Sequence, residues 1–240
     1  MNKIRVVVWN EFQHERTNQE VAKIYPNGIH NAIGDDLKKE RDFEVVTATL
    51  EDPCQGLPDE LLEKTDVLIW WSHAAHHKVE DQLVAKIKAR INEGMGFIPL
   101  HSSHLSKIFV ALMGTSCNLR WSESGEKERL WVVNHSHPIV QGIGDYFELE
   151  HTEMYGERFD IPEPDQLLLI SWFAGGQVFR SGCTWQRGNG KIFYFRPGHE
   201  TFPIYYNESV MKVISNAVRW VAPVVFKTPC GDNMESLENI

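Results

Sequence analysis

Cysteine is scarce in this chain of 240 residues: Cys54, Cys117, Cys183 and Cys230 are the only four, and no two stand in C-x-x-C spacing. That argues against a zinc knuckle or a disulfide framework and leaves plain thiols. Basic charge is also short. Lys and Arg number 24 against 33 Asp and Glu, a formal charge of -9 that opposes a phosphate backbone, so nucleic acid is not an expected partner. Long apolar runs are missing as well. Nothing approaches the ~18 residues of a membrane span, and MNKIRVVVWNE has no leader-type core with a small-residue cleavage site, so a soluble, cytoplasmic protein with no membrane partner is expected.

What the chain has in plenty is histidine, eleven residues, and tryptophan, eight. Several stand side by side where strands are expected to end, which suggests a polar pocket with aromatic walls. A hydrophobic content of 42% over this length suits one large core, so residues 1–222 are read as a single domain and 223–240 as an arm or tail.

Ile4 to Trp9 is a short β-branched run, the pattern of a strand buried on both faces in a parallel sheet. Pro26 opens an expected helix whose Ile29, Ile33 and Leu37 share one face. Further strands are expected at Phe43 to Ala48, Val67 to Trp71 and Phe97 to Leu100. They alternate with helices from about Val79 to Asn92, stopped by Gly94, and from Leu105 to Met113. This β-α alternation predicts an open, doubly wound sheet. The second half is richer in strands: Arg129 to Val133, Tyr146 to Glu150, Gln166 to Trp172, Gln177 to Trp185 and Lys191 to Arg196. Gly175-Gly176 and Gly188-Asn189-Gly190 serve as hairpin turns, so antiparallel additions are expected. Residues 114–128 read as a polar loop able to fold over a site, and Tyr205 to Trp220 as a last amphipathic helix.

Ligands of an open parallel sheet bind beyond the carboxyl ends of its strands, where loops diverge and helix N-termini point inward. By that rule the first strand delivers Asn10, Glu11 and His14, and the third delivers His73. The fourth delivers His101, Ser102, Ser103 and His104, and the last is followed by His199 and Glu200. The stretch FIPLHSSH, residues 97–104, has the form of a nucleophile elbow with His101 at the nucleophile's position. Ser102 and Ser103 would add donors of the kind that cradle an anion or oxyanion. The missing small residues of G-x-S-x-G weigh against either serine as nucleophile, and a histidine merely satisfied by a nearby carbonyl is the plainer reading of His101.

Glu153 and Tyr155 lie in HTEMYGERF, residues 151–159, either a solvated charged loop or a source of a general base, an imidazole-orienting group or a metal ligand. Trp121 is the candidate for stacking on a sugar-like ligand. Neutral imidazoles beside a carboxylate suit one divalent ion, zinc before others, with His14, His73, His101 and His199 as candidate ligands, although no HExxH pair fixes the set. No nucleotide cofactor is expected. An exposed sheet edge and the apolar Val224, Val225 and Phe226 make a homo-oligomer plausible.

Taken in order, several segments resemble the ThuA family, named for trehalose utilisation. They are VVWNE with His14, YPNGIH (25–30), WWSH (70–73), PLHSSH (99–104), HPIVQGI (137–143), TEMYGE (152–157) and RPGHE (196–200). The resemblance implies a flavodoxin-like, class I glutamine amidotransferase-like α/β fold. In the amidotransferase relatives the elbow carries a catalytic Cys, paired with a His and Glu after a later strand. Here the elbow position falls on His101 while His199-Glu200 resembles the distal pair, so amide chemistry through a thioester is not expected. What the resemblance implies instead is the use of sugars such as trehalose or related keto-disaccharides. The expected protein is an acid/base or metal-assisted enzyme on a sugar derivative, with His101, Glu153, His199 and Glu200 as catalytic candidates. A non-catalytic sugar-binding or regulatory module is the alternative.

Overall fold

The computed structural model describes residues 3–224 together with Phe226, Ser236 and Glu238. Nine strands form one sheet: β1 (Ile4–Asn10), β2 (Phe43–Thr49), β3 (Val67–Trp71), β4 (Gly96–Leu100), β5 (Arg120–Val132), β6 (Tyr146–Gly156), β7 (Gln166–Phe173), β8 (Val178–Arg187) and β9 (Gly190–Phe195). Their spatial order is β2-β1-β3-β4-β9-β8-β7-β5-β6. The strands from β2 to β9 in that order run parallel, and β8, β7, β5 and β6 continue the sheet antiparallel. This is the doubly wound, mixed α/β sheet that the alternation of elements predicts.

Every residue of β3 (VLIWW) and β4 (GFIPL) is buried, as strands covered by helices on both faces must be. The helices are α1 (His14–Thr17), α2 (Gln19–Ile24), α3 (Ile29–Leu37), α4 (Asp59–Lys64), α5 (Asp81–Glu93), α6 (Lys107–Met113) and α7 (Glu208–Val221). Ile29, Ile33 and Leu37 of α3 pack with Val210, Ile214 and Val218 of α7 in one hydrophobic cluster. Leu83, Ile87 and Ile91 of α5 and Phe109 of α6 pack in the other. Both clusters draw on the parallel and the antiparallel strands. In the second, Trp9 and Trp70 from neighbouring strands stack with ring centroids 3.6 Å apart and planes 6° from parallel. Asn207 starts α7 by accepting hydrogen bonds from the Ser209 and Val210 amides through its side chain.

Four sequence expectations change. The third helix begins at Ile29 with Gly28 as its cap, so Pro26 lies in the preceding turn. The helix expected from Leu105 starts at Lys107, after a 3₁₀ turn over His101–Leu105. The polar loop 114–128 is largely strand: β5 starts at Arg120 and pairs Trp121 with Tyr155 and Ser122 with Met154. Its SESGEKE segment lacks the alternating apolar residues that betray a strand, because this end of the β5–β6 hairpin is mostly solvated. β6 likewise runs on through Glu153 to Gly156, where a loop stood as an alternative; here the polar Thr152 and Glu153 are buried, so hydropathy did not mark the strand. Of the expected arm, Val224 is exposed and the Arg90 guanidinium lies 4.5 Å from the Phe226 ring centre. Val225 and Cys230 lie outside the described residues.

Candidate active site

The elbow is real in the backbone. Leu100 is extended, and His101 then takes φ +50°, the left-handed region that a branched or bulky side chain adopts only where its surroundings impose it. Those surroundings are specific. Tyr194 Oη donates to the His101 carbonyl at 3.0 Å, and Ser103 Oγ donates to the Trp70 carbonyl while accepting from the Ser72 amide, both at 2.9 Å. Gly198 closes over the turn with φ +145°. A Cβ there would lie 2.0 Å from Tyr205 Oη and 3.1 Å from His101 Cβ, so the strand-end backbone can approach only as glycine.

An inner cluster forms around this turn. His101 Nδ1 lies 3.0 Å from the Arg196 carbonyl, which can only accept, so Nδ1 carries the proton and Nε2 presents its lone pair. Facing that lone pair at 3.0 Å is Glu153 Oε2. That oxygen has no aligned hydrogen-bond partner among the described residues, and the Tyr155 hydroxyl stands 3.5 Å from His101 Nε2. Burial pushes the His101 imidazole down to about 3, and burial likewise raises the Glu153 carboxyl, so the site disfavours the charged form of both groups. Tyr155 stacks on the His101 ring at 5.0 Å. His199 completes the group. Its Nδ1 accepts the Thr201 amide at 3.2 Å, which places the remaining proton on Nε2, 3.9 Å from Glu153 Oε2 and with no hydrogen-bond partner among the described residues. Burial pushes His199 down to about 4, so it is a neutral donor at ordinary pH.

An outer cluster adjoins it. His14 Nδ1 and His73 Nδ1 lie 3.2 Å apart, and Glu200 Oε1 is 2.5 Å from the first and 3.3 Å from the second. The two histidine side chains are 25% and 29% exposed, so the site meets solvent here. Burial alone would raise Glu200, but hydrogen bonds from His14 and His73 hold it well below the usual carboxylate range. The same bond to Glu200 raises His14. For His73, burial pulls downward and the carboxylate outweighs it.

The donor sets differ in their fit to a metal. In tetrahedral coordination with bonds of ~2.0–2.1 Å, neighbouring donors stand about 3.3 Å apart. Two edges of the His14–His73–Glu200 triangle have that length, and the third, at 2.5 Å, is a hydrogen-bond distance. His101, Glu153 and His199 also offer donor atoms within 4.8 Å of one another, but the proton on His199 Nε2 blocks that nitrogen as a ligand. The four candidate metal histidines are thus divided between two clusters, and Glu200 joins His14 and His73.

The remaining candidates are placed as follows. Glu11 is buried and accepts from the backbone amides of His73, Ala74 and Ala75, so it holds the loop after β3. Asn10 bonds Glu15 and approaches His30 within the core. Ser103 is consumed in pinning the elbow, whereas Ser102 Oγ is buried without a hydrogen-bond partner among the described residues. Trp121 is 62% exposed and sits directly across from Tyr155, so its side chain projects from the same face of the sheet. Two contributors were not foreseen, Arg196 and Thr201. Arg196 stands in RPGHE, and a strand-end arginine followed by Pro-Gly was the available signal.

A mixed sheet with a pinned strand-to-helix elbow, and with histidine and glutamate supplied after a later strand, defines a class I glutamine amidotransferase-like fold whose elbow bears an imidazole. Solved structures share it. A ThuA-like protein of Parabacteroides merdae matches with TM-score 0.70 and 12% identity over 94% of this chain and 92% of its own. A cytoplasmic protein of Salmonella typhimurium gives 0.62 and 13% over 91% and 99%. A glutamine amidotransferase of Thermotoga maritima gives 0.55 and 11% over 92% and 99%. Among curated proteins none matches. The ThuA family model, described as trehalose utilisation, matches residues 5–221, and the chain belongs to that family.

Proposed function

We propose that this protein is an enzyme of carbohydrate utilisation that acts on a sugar or keto-sugar derivative, with one divalent ion at His14, His73 and Glu200 and with Glu153 as the proton-transferring group. The observation that carries the reading is the 3.0 Å approach of His101 Nε2 to Glu153 Oε2, buried beside a partly exposed histidine pair at metal-ligand spacing. A bound cation, zinc before others, would supply Lewis acidity toward a hydroxyl or carbonyl oxygen.

Glu153, whose burial favours the protonated form, gives a proton to a substrate oxygen, and His101 Nε2 is the nitrogen placed to receive one in return. His199 Nε2–H, without a hydrogen-bond partner among the described residues, is a donor available to developing negative charge. Glu200 keeps the two outer imidazoles oriented, and Trp121 offers a face on which a sugar ring can stack. The family description supports the substrate class. Incubation of the metal-loaded protein with a panel of disaccharides and keto-sugars, followed by product analysis, tests the proposal. Turnover that survives in Glu153→Gln or His101→Ala would remove it. Ligand binding seen by calorimetry with no chemical change would favour a sugar-sensing module.

We further take residues 1–222 as one functional unit, a cytoplasmic setting in line with the Salmonella neighbour, and self-association. Trp131, Tyr146 and Trp172 gather around Arg129 on the solvated face of the β5–β6–β7 sheet, the type of surface that anchors interfaces. Light scattering after size exclusion checks this, and a monomer at micromolar concentration would contradict it.

A further inference from the structure

His101 and Glu153 touch, yet they belong to strands far apart in the sheet. Between β4 and β6 lie β9, β8, β7 and β5, so only a strong curl of the sheet brings Glu153 to the elbow. Glu157, just past β6, is tied to β8 through the Val178 carbonyl and the Arg180 guanidinium, and Arg196 ties the residues beside His101 to Glu153 itself. The Arg196 side chain is fully buried at the end of β9. Its Nη1 donates to the Glu153 carbonyl at 2.8 Å, and its Nη2 donates to Thr152 Oγ1 at 2.7 Å. The same guanidinium stands 3.0 Å from Glu128 Oε2 on β5, and neither partner of that ion pair is exposed. Glu128 in turn accepts from Ser171 on β7, which bonds Ser181 on β8. The Arg196 main chain faces the other way: its carbonyl receives His101 Nδ1–H, and its amide donates to the Ser181 carbonyl.

We infer that Arg196 is a positioning residue: paired with Glu128, it forms a strut that holds Glu153 against His101 and, through its carbonyl, selects the His101 tautomer whose lone pair faces Glu153. A buried ion pair is a poor way to gain stability, because apolar residues of similar volume commonly serve the fold as well. What they cannot do is hydrogen-bond a backbone carbonyl on one strand and a hydroxyl beside it while sharing a residue with the imidazole's own partner. The guanidinium also packs 5.5 Å from the Tyr155 ring centre and 5.1 Å from that of Phe173, which fixes its plane. This inference rests on the proposed role of the His101–Glu153 pair, but its measurement needs neither substrate nor metal.

The test uses the full chain carrying Arg196→Met together with Glu128→Leu, a neutral pair of similar bulk, and separately Arg196→Lys, which keeps the charge and loses the fork. In the wild type, Glu153→Gln should move the ¹⁵N resonance of His101 Nε2. In both strut variants the response to Glu153→Gln should be lost, and the crystallographic His101–Glu153 separation should open from 3.0 Å to beyond about 4 Å, past hydrogen-bond reach. A folded variant of either kind that keeps both the separation and the resonance response overturns the inference. Zinc titration of the wild type tests the metal centre separately, since the strut touches none of His14, His73 and Glu200. Its failure would fall on the proposed function and not on the strut.

Discussion

Glu200→Gln is the change on which the metal reading turns. The carboxylate contributes one of three donor atoms and the only negative charge among them, at 2.5 and 3.3 Å from the two imidazole nitrogens. Zinc at a hundredfold excess over its dissociation constant stabilises a folded protein by about 2.7 kcal/mol. At about 2–4 °C per kcal/mol for a domain of this size, the wild-type Tm should rise by about 5–11 °C. Loss of a ligand weakens affinity at least as much as the ~10–100-fold typical of groups that only support a ligand. At the hundredfold end the same zinc concentration only equals the new dissociation constant, and the shift falls to about 1–2 °C.

The pH dependence adds a sign. The folded protein holds protons on His14 and His73 more tightly than the ordinary imidazole value of 6.5. Their pairing with Glu200 therefore stabilises the metal-free fold fully below that value, and the contribution is lost as pH rises through the elevated folded pKa values. Zinc requires neutral imidazoles, so its stabilisation has the opposite trend and shrinks as pH falls. Differential scanning fluorimetry on chelator-treated protein, with and without zinc from about pH 5.5 to 8.5, reads both. A wild-type Tm that ignores zinc, or a Glu200→Gln variant that shifts as far as the wild type, would refute the reasoning.

Gly198→Ala should destabilise by more than about 2 kcal/mol through combined backbone strain and overlap. Tyr205→Phe should restore only part of that, because the ring carbon itself lies 2.8 Å from the new Cβ; chemical denaturation measures both, and a neutral Gly198→Ala would show that the turn is looser than described. Trp121→Ala should leave the Tm unchanged, given its 62% exposure, and weaken sugar binding by about tenfold, which calorimetry reads. Iodoacetamide should leave activity intact in a form retaining Cys117 and Cys183 but with Cys54 and Cys230 replaced by Ser. Both remaining thiols are buried, and burial pushes them up to about 11 and 12. Rapid inactivation of that form would revive a cysteine nucleophile.

The parallel half of the fold was legible because β3 and β4 are continuous apolar runs and α3, α5 and α7 repeat their apolar residues at helical spacing. The convergence of His14, His73, His101, His199 and Glu200 was legible too, since the ends of parallel strands face one crevice whatever the loops do. The start of β5 was not: its residues face water on an edge hairpin, where strand formation depends on a partner far along the chain. Nor could spacing reveal that the histidines divide into two groups. That division follows from which donor atoms come within reach of one another, and the tautomers of His101 and His199 are set by the Arg196 carbonyl and the Thr201 amide; none of this leaves a mark in composition or periodicity.

The stacked indoles of Trp9 and Trp70 give the molecule an optical property of its own. Two stacked indoles at 3.6 Å couple their electronic transitions, so the ultraviolet absorption and circular dichroism of this pair differ from those of two separate tryptophans. That coupling is a built-in reporter of whether β1 and β3, the strand whose Trp70 carbonyl also receives Ser103, have come together.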